Sequence, residues 1–368
     1  MTCFDVAIVG AGIAGASLAA ELSPMRSVLL LEAEDFPGYH STGRSAAFWS
    51  ETYGGPAIQP LTSASYAFLS APPPQFADQG FLKPRGALHI GTGENGADAE
   101  AMVADFAASS VHLDRLEPAQ IGQYLSGRRH GWDVALWEPD CSDIDVAGLH
   151  QAYLKAARRA GCELHCRARV EALGFRSGRW QIETRAGPFE ARVVVNAAGA
   201  WADEIAQLAD IGMLHIQPFR RTMLQVEVSP SAPASLPLVV GLDGSFYFKP
   251  EAGGRLWLSP HDEIPDAACD AAPAELEVAR ALARFEEVVD WKVERIERKW
   301  AGLRSFAPDR KPVIGRDPAN EQFFWLAGQG GFGIQTAPAV AQLSAALLLD
   351  AATNSRIDPL AYSPVRFR

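Results

Sequence analysis

Cysteine is scarce in this sequence, and the few cysteines form no recognisable framework. Five occur in 368 residues, and no two of them stand in a CxxC pair. This argues against a disulfide scaffold and against a structural zinc site. Cys162 and Cys166 enclose Glu-Leu-His, a set of metal-ligand types, but alternation along a strand would place Cys162, Leu164 and Cys166 on one face. We therefore predict a core strand here and no metal site in the chain.

Positive charge and long apolar segments are also scarce. The chain has 33 Lys and Arg against 44 Asp and Glu, which gives a net charge of −11. Such a balance argues against binding to nucleic acid or to anionic membranes. The first apolar stretch is interrupted by glycines and reaches Glu21, so it predicts neither a secretory signal nor a transmembrane anchor. We expect a cytoplasmic protein whose partner is a small molecule.

Glycine is plentiful and placed in patterns, the first of which indicates a dinucleotide-binding loop. The apolar run Asp5–Val9 predicts a buried strand, and Gly10-Ala-Gly-Ile-Ala-Gly15 follows it directly. Gly10 allows a tight turn, Gly12 lets a pyrophosphate approach the backbone, and Gly15 lets the following helix, Ile13–Leu22, pack on the sheet. The N-terminus of that helix would face the phosphates.

The residues that follow favour FAD over NAD as the dinucleotide. A second strand, Val28–Leu31, ends in Glu32, which lies 22 residues after Gly10, close to the offset at which a carboxylate meets a ribose hydroxyl. The second signature, Gly38-Tyr-His-Ser-Thr-Gly-Arg-Ser-Ala-Ala47, comes just past this strand. The two signatures together predict a Rossmann-type FAD-binding domain.

Two later segments also place glycine beside a buried strand or a helix. The valines Val193–Val195 lead into Asn196-Ala-Ala-Gly-Ala-Trp201, whose small residues would let the backbone approach a ligand. Gly328–Thr336 is glycine-rich and precedes a helix expected from Thr336 to Asp350, whose N-terminus would stabilise negative charge on a reduced flavin. An ordinary close-packed turn is the alternative at both places.

Five segments together resemble the D-amino-acid oxidase superfamily of FAD enzymes, which includes glycine and sarcosine oxidases and D-amino-acid dehydrogenases. The segments are Asp5–Glu32, Gly38–Ala47, Val193–Trp201, Trp300–Phe306 and Gly328–Thr336. The similarity spans nearly the whole chain, and Ser245-Phe-Tyr247 and Leu303-Arg-Ser-Phe306 are most similar to bacterial D-arginine dehydrogenases. The resemblance implies an α/β flavoprotein of the glutathione-reductase type.

The resemblance also implies how the chain is divided and which residues meet the cofactor. It implies a discontinuous FAD-binding domain (1–50, 140–215 and 300–368) and an α+β substrate domain with a large mixed, antiparallel sheet (51–139 and 216–299). Some relatives hold flavin through a cysteine in the C-terminal third, but this chain has none after Cys269. We therefore predict non-covalent FAD. The residues expected at the cofactor are Gly10, Gly12, Ile13, Ala14, Gly15, Glu32, Ala33, Thr42, Arg44, Ser45, Ala46, Val170, Ala198, Gly199, Trp201, Arg304, Gly330, Gly331, Gly333, Ile334 and Gln335.

Five residues match the superfamily's substrate machinery. Arg304 matches the arginine that binds the substrate carboxylate, and its fork suits such a partner, although an internal ion pair is the alternative. Tyr247 and Tyr53 match pocket tyrosines, one adding a hydroxyl to the carboxylate. Arg221 matches a second pocket arginine, but its neighbour Arg220 would face the other way in a strand, and the pattern does not say which one faces the pocket. The backbone carbonyl of Gly331 matches the acceptor of the substrate amine.

Two departures from the D-arginine dehydrogenase pattern bear on the substrate. Ala87 stands where that enzyme has a glutamate for the guanidinium, and Phe48 stands where it has a histidine. A cationic side chain would meet no counter-charge there, and burying it unpaired costs several kcal/mol. An apolar group against Phe48, Ala87 and Trp49 would instead gain roughly 25 cal/mol per Å². We therefore predict hydrophobic D-amino acids as substrates.

The implied reaction is oxidative deamination. A hydride passes from Cα of the amino acid to flavin N5, and the imino acid hydrolyses to a 2-oxo acid and ammonia. The sequence shows no general base and does not identify the electron acceptor. Three alternatives are a glycine- or sarcosine-type oxidase that reduces O₂, a flavoenzyme of modified tRNA bases, which the acidic balance disfavours, and a non-catalytic FAD-binding protein.

Overall fold

A computed structural model describes residues 3–367 of the chain. Within that range it forms eight α-helices and twenty strands. The helices are α1 (Ile13–Leu22), α2 (Gln59–Ser70), α3 (Gly96–Phe106), α4 (Pro118–Ile121), α5 (Val146–Arg159), α6 (Ala202–Leu208), α7 (Glu275–Val288) and α8 (Gly333–Leu348). The strands are β1 (Cys3–Val9), β2 (Val28–Leu31), β3 (Phe48–Trp49), β4 (Leu82–Pro84), β5 (Ala87–Gly91), β6 (Asp114–Leu116), β7 (Val134–Glu138), β8 (Ser142–Ile144), β9 (Glu163–His165), β10 (Val170–Arg176), β11 (Arg179–Thr184), β12 (Gly187–Asn196), β13 (Gln217–Ser229), β14 (Leu238–Gly241), β15 (Tyr247–Glu251), β16 (Arg255–Ser259), β17 (Ile264–Pro265), β18 (Lys292–Phe306), β19 (Val313–Asp317) and β20 (Asn320–Ala327).

The first sheet has eight strands around a parallel centre. Its strands follow the order β10-β11-β12-β1-β2-β9, and β20 pairs with both β12 and β19. The pairs β12–β1, β1–β2, β2–β9 and β12–β20 are parallel. Helix α1 joins β1 to β2, which is the crossover of a Rossmann unit. The predicted Rossmann-type arrangement is therefore present.

Alternation along the central strands divides the core between the two faces of this sheet. Val6 and Ile8 belong to one cluster with α1, α5 and α8, whereas Ala7 and Val9 belong to a second cluster with α6. Strands buried on both faces in this way read as continuous apolar runs, as Asp5–Val9 does. The strand predicted around Cys162 is β9, which pairs with β2 at the edge of the sheet. Cys162 is buried, but Leu164 and Cys166 are only half-buried, so the prediction of a core strand is wrong. Within residues 3–367, no group of three His, Cys, Asp or Glu side chains could hold a metal ion.

The second sheet has nine strands, mostly antiparallel, in the order β17-β13-β16-β15-β14-β5-β7-β6. Its one parallel pair is β14–β5. Strand β18 pairs with β13 along its whole length, from Gln217 opposite Phe306 to Ser229 opposite Lys292. In this register Arg221 lies opposite Gly302, and Phe219 lies opposite Arg304. Because residues two apart share a face, Arg221 and Arg304 point to the same side of the sheet.

A small third sheet has three strands in the order β3-β8-β4. The division into two domains stays a prediction. Strand β18 of the second sheet runs to Phe306, past residue 299, where the substrate domain was expected to end. Among the described helices, none is long and apolar enough to cross a membrane.

Candidate active site

A cleft opens at the carboxyl ends of β1, β2 and β12, where open α/β sheets bind ligands. Gly10 makes the turn out of β1 with φ of 102°, and a Cβ there would lie 2.5 Å from the carbonyl oxygen of Ala197. A Cβ on Gly15 would lie 1.9 Å from the carbonyl oxygen of Gly10. Both positions therefore require glycine, Gly10 for the turn and Gly15 for helix packing, as the motif predicts.

The N-terminus of α1 faces this cleft without an acidic residue in its first turn. The N–H of Ile13 donates to Thr42 Oγ1 at 3.0 Å, so the Gly38–Ala47 segment closes over the helix end. Glu32 accepts from the N–H of Ala11 at 3.1 Å, and its burial raises the pKa of this carboxyl. The loop, the helix end and the acid thus form one cradle with the features that a dinucleotide requires.

The cleft gathers most of the residues predicted at the cofactor. Those that line it are Gly10, Gly12, Ile13, Ala14, Glu32, Ala33, Thr42, Ser45, Val170, Ala198, Gly199, Trp201, Arg304, Gly330, Gly331, Gly333 and Ile334. Gly15 lies behind it, and Ala46 and Gln335 line an adjoining cavity instead.

Arg44, which was also predicted at the cofactor, does not line the cleft. Its Nη1 donates to the carbonyl oxygens of Ala271 at 3.0 Å and Ala301 at 3.1 Å, and its Nη2 forms an ion pair with Asp270. The side chain therefore ties the Gly38–Ala47 segment to β18. Arg44 lies in the predicted Gly38–Ala47 motif, but a long side chain in a loop can point toward the cleft or away from it, and this one points away.

Several lining residues were missed by the sequence analysis. His40 contacts the ring of Trp201 at 4.6 Å between centroids, and its Nε2 lies 3.0 Å from Glu34 Oε1. Many of the missed residues lie inside or next to the predicted motifs. Their closeness in sequence to those motifs could have been used to predict that they line the cleft. The missed residues include Glu34, Gly38, Tyr39, His40, Ser41, Ala168, Arg169, Glu204, Leu208, Leu303, Ser305 and Gln329.

A smaller cavity adjoins the cleft and collects the predicted substrate residues. The two share Ser45, Arg304, Gly331 and Ile334. The residues that line the cavity are Ser45, Ala46, Ala47, Phe48, Tyr53, Arg221, Tyr247, Arg304, Gly331, Ile334 and Gln335. Ala87 does not line it, but is buried in one apolar cluster with Phe48 and Tyr247.

The two arginines of the cavity differ in how their charges are balanced. Arg221 is 2% exposed, donates to the carbonyl oxygen of Asp262 at 2.8 Å and pairs with Glu263 at 3.1 Å. Arg304 is 7% exposed, and its Nη1 donates to the carbonyl oxygen of Leu303 at 3.3 Å. Burial, and then the charge of Arg221, lower the pKa of Arg304. Within residues 3–367 no acidic side chain forms an ion pair with Arg304, although the charge of Asp262 opposes the lowering of its pKa. This argues against the internal ion pair.

The neighbouring Arg220 leaves the cavity. It forms an ion pair with Asp266, and its strand position puts it on the opposite face from Arg221. The register between β13 and β18 thus decides the question that the dipeptide alone left open. Arg221, as the resemblance implies, is the one that lines the cavity.

Aromatic rings form the walls of the cavity. The ring of Phe48 lies 5.1 Å from that of Tyr53 and 6.0 Å from that of Tyr247, between centroids. The hydroxyl of Tyr53 lies 3.4 Å from Arg221 Nη1 and 3.3 Å from Nε2 of His261, a residue that the sequence did not single out. Tyr247 is buried, and its burial raises the pKa of its hydroxyl.

No carboxylate lines this cavity among the described residues. The residue of β7 that lies opposite Ala87 is Glu138, which is 1% exposed. Its two oxygens are occupied by Ser50 Oγ at 2.9 Å, the N–H of Glu51 at 2.8 Å and His89 Nε2 at 3.0 Å. Glu138 therefore holds the segment that leads to Tyr53 and offers no charge to a ligand.

The glycine loop before α8 completes the junction of cleft and cavity. Gly330 has φ of 54°, and a Cβ on Gly331 would lie 2.7 Å from Tyr53 Oη. Helix α8 starts at Gly333, three residues before the predicted start, and has no side-chain cap. Its free N–H groups at the junction are suited to stabilising negative charge. Gln335 anchors the loop by donating to the carbonyl oxygen of Tyr53 at 3.1 Å.

The sequence is similar to that of known flavoproteins. The family model described as FAD dependent oxidoreductase, DAO, matches residues 5–347. The chain is 26% identical over 377 residues to the bifunctional protein ThiO/ThiG of Synechocystis, covering 100% of this chain and 54% of that protein. It is 26% identical over 361 residues to mitochondrial dimethylglycine dehydrogenase of Rattus norvegicus, covering 90% of this chain and 41% of that protein. The chain thus spans about half the length of these two relatives.

A solved structure shows the same fold. The crystal structure of glycine oxidase from Geobacillus kaustophilus aligns with a TM-score of 0.86 at 24% identity, covering 99% of this chain and 98% of that one. The predicted α/β fold with two large sheets is therefore confirmed. The narrower resemblance to D-arginine dehydrogenases is not carried by these relatives and stays a prediction.

Proposed function

The chain belongs to the DAO family of FAD-dependent oxidoreductases, and from that premise we propose that it oxidatively deaminates amino acids with uncharged side chains. FAD is the cofactor and is held non-covalently. The observation that carries the proposal is Arg304, a buried guanidinium that has no ion-pair partner among the described residues and lines a cavity that adjoins the cofactor cleft. Such a group is stabilised by a bound anion, and a planar fork suits a carboxylate.

Each residue around the cavity would bind the part of the substrate that suits its chemistry. Arg304 binds the substrate carboxylate, with Arg221 adding positive charge beside it. The hydroxyl of Tyr53 lies beside Gly331, and this hydroxyl and the carbonyl of Gly331 would accept N–H groups of the amine. Bound FAD supplies the acceptor for a hydride from the substrate Cα, and the imino acid hydrolyses to a 2-oxo acid and ammonia. Holding the two ends of the substrate fixes Cα against the cofactor.

The walls favour an apolar side chain. Phe48, Tyr53 and Tyr247 surround the cavity, Ala87 is buried behind them, and both charged lining residues are arginines. A substrate guanidinium or ammonium would be repelled by Arg221 and Arg304 and would find no acid. We propose hydrophobic D-amino acids as substrates, with the D-configuration resting on the resemblance of the pocket residues.

Glycine or an N-methylated glycine is the second candidate. Two matches, glycine oxidase and dimethylglycine dehydrogenase, are named for substrates with little or no side chain. The aromatic rings around the cavity and the close approach of Tyr53 to Gly331 leave limited room beside Cα, which favours this alternative. The same residues would bind and orient either substrate.

An anaerobic bleaching screen tests the proposal. The purified holoprotein would be mixed with D- and L-forms of leucine, methionine, phenylalanine and arginine, and with glycine, sarcosine and N,N-dimethylglycine. We expect the flavin absorbance to be lost with D-Leu, D-Met or D-Phe, and not with D-Arg. Preference for D-Arg would contradict the pocket assignment, and preference for the glycine derivatives would support the second candidate. Oxygen uptake compared with dye reduction then separates an oxidase from a dehydrogenase.

A further inference from the structure

We propose that His261 is a positioning residue that fixes the hydroxyl of Tyr53 as a hydrogen-bond acceptor for the substrate amine. The inference rests on the proposed function for its ligand. The structure places the His261 ring between two oxygens, the carbonyl of Gly244 and the hydroxyl of Tyr53. His261 does not line the cavity itself, so it would act through Tyr53.

The first step is the tautomer of His261. Its Nδ1 lies 2.5 Å from the carbonyl oxygen of Gly244. A carbonyl oxygen accepts hydrogen bonds and cannot donate them, so Nδ1 must carry the hydrogen. Burial, and then the charges of Arg221, Arg304 and Arg310, lower the pKa of His261 to about 3, although the carbonyl of Gly244 opposes them. The ring is therefore neutral near pH 7, and Nε2 presents a lone pair.

The second step concerns the single hydrogen of the Tyr53 hydroxyl. Tyr53 Oη lies 3.3 Å from His261 Nε2, which can only accept. The hydroxyl therefore donates to His261, and it receives a hydrogen bond from Arg221 Nη1 at 3.4 Å. With its one hydrogen used, this oxygen can only accept from a substrate.

The third step is where that oxygen lies. A Cβ on Gly331 would be 2.7 Å from Tyr53 Oη, so the hydroxyl sits beside the glycine whose carbonyl is expected to receive the amine. A hydroxyl that can only accept suits an amine, which brings N–H groups, and repels a carboxylate. The carboxylate is thereby directed to Arg304, and the substrate binds in one orientation.

The backbone at His261 supports a specific role for the residue. Its φ is 52°, a left-handed conformation that costs energy for a residue with a Cβ. Its N–H donates to Ser259 Oγ at 3.1 Å, and that hydroxyl donates to the carbonyl oxygen of Thr222 at 2.7 Å. Strain that is held in place by such contacts is typical of functional sites.

A double-mutant cycle tests the inference. Asparagine tolerates a left-handed backbone, but its side chain is too short to replace the imidazole, so His261→Asn removes the bond without straining the loop. We expect His261→Asn and Tyr53→Phe each to lower kcat/KM for the amino acid about tenfold, through KM, and the double variant to lower it no further than Tyr53→Phe alone. Losses that multiply to about a hundredfold would overturn the coupling. Binding of a carboxylate without an amine, benzoate, followed through the flavin spectrum, should be unchanged in His261→Asn, and its loss would also overturn the role.

A second measurement does not depend on turnover. In ¹⁵N-histidine-labelled holoprotein, the Nε2 signal of His261, assigned through His261→Asn, should have the shift of an unprotonated acceptor. This signal should move in Tyr53→Phe. A protonated Nε2, or no response to Tyr53→Phe, overturns the inference even if amino acids are oxidised. If no amine bleaches the flavin, the proposed function fails, and the nitrogen spectra still decide whether His261 orients Tyr53.

Discussion

We expect different roles for the two buried arginines of the cavity because their partners differ. Arg221 is balanced by Glu263, which also accepts from Arg310 at 2.8 Å. Arg304 donates to the carbonyl oxygen of Leu303 and has no ion-pair partner within residues 3–367. An unpaired buried cation is costly, and a ligand carboxylate removes that cost on binding. Arg304 is therefore the arginine that we expect to pair with the substrate carboxylate.

Replacing Arg304 tests this at the level of one residue. Truncating one partner of a buried charge pair costs about 2–5 kcal/mol, so Arg304→Ala should lower kcat/KM at least about thirtyfold, through a higher KM. Bound FAD per protein should stay the same, measured from the flavin absorbance. Arg220→Ala is the matched control, since Arg220 pairs with Asp266 away from the cavity and should leave KM unchanged. Unchanged kinetics in Arg304→Ala would remove this residue from the carboxylate role.

Residue identities in the glycine motifs could be predicted because backbone geometry leaves few choices. Gly10 and Gly15 would clash as any other residue, and the motif requires both. His261 could not be found in this way. It meets Tyr53 from 208 positions away, and nothing in its local sequence marks a turn with φ of 52° or a carbonyl at Nδ1. Contacts that depend on how two distant loops meet leave no local pattern.

At the level of elements, buried strands were easier to predict than half-exposed ones. α1 and β2 have the expected bounds, and β1 ends at Val9 as expected but begins two residues earlier, at Cys3. Apolar runs and glycines define these elements. The segment Lys292–Lys299, in contrast, is charged and mostly exposed, and it is a strand because it pairs with β13. The second sheet positions Arg221 and Arg304 through this pairing, so the geometry of the cavity could not be read from either strand alone.

Glu138 at the end of β7 fixes the segment that carries Tyr53. Its carboxylate accepts from residues 50–52 and from His89, and it is 1% exposed. Glu138→Gln should lower the free energy of unfolding by about 2–4 kcal/mol, because the amide brings donors into a site built of donors. KM should rise with the loosened Tyr53. Chemical denaturation and steady-state kinetics measure both, and Glu286→Gln, on the exposed side of α7, is the control.

The loss of stability in Glu138→Gln should also depend on pH. Burial alone would raise the pKa of Glu138, but the hydrogen bonds from His89, Thr52 and Ser50 outweigh it, and the pKa lies below the ordinary value of 4.5. The unfolded chain then binds a proton before the folded one does as pH falls. The stabilisation is complete above pH 4.5 and is lost as pH falls through the folded pKa. The difference between wild type and Glu138→Gln should be largest near pH 7 and narrow in acid. A difference that is constant with pH would show that the carboxylate charge is not involved.

At the level of the whole molecule, the cofactor cleft joins parts of the chain that are far apart in sequence. Its lining comes from residues 9–45, 168–208 and 303–334. A ligand that contacts all three holds them together only in the folded state, so FAD should stabilise the entire fold. The gain follows RT ln(1 + [FAD]/Kd), about 2.7 kcal/mol at about 100 times the dissociation constant. Removal of FAD should therefore lower the Tm of the protein, and added FAD should restore it in proportion to the logarithm of its concentration.

Gly12→Ala separates this linkage from intrinsic stability. A Cβ at Gly12 would lie 3.2 Å from Thr42 Oγ1, a contact that small shifts can relieve, so the apoprotein should fold with nearly its normal Tm. The same methyl group would occupy the space through which a pyrophosphate approaches the backbone, and the rise of Tm with FAD should disappear. Gly122→Ala, with nothing within 4 Å of the added carbon, should keep the full rise. If Gly12→Ala binds FAD as wild type does, the pyrophosphate does not approach the backbone at Gly12, and the role given to this glycine is wrong.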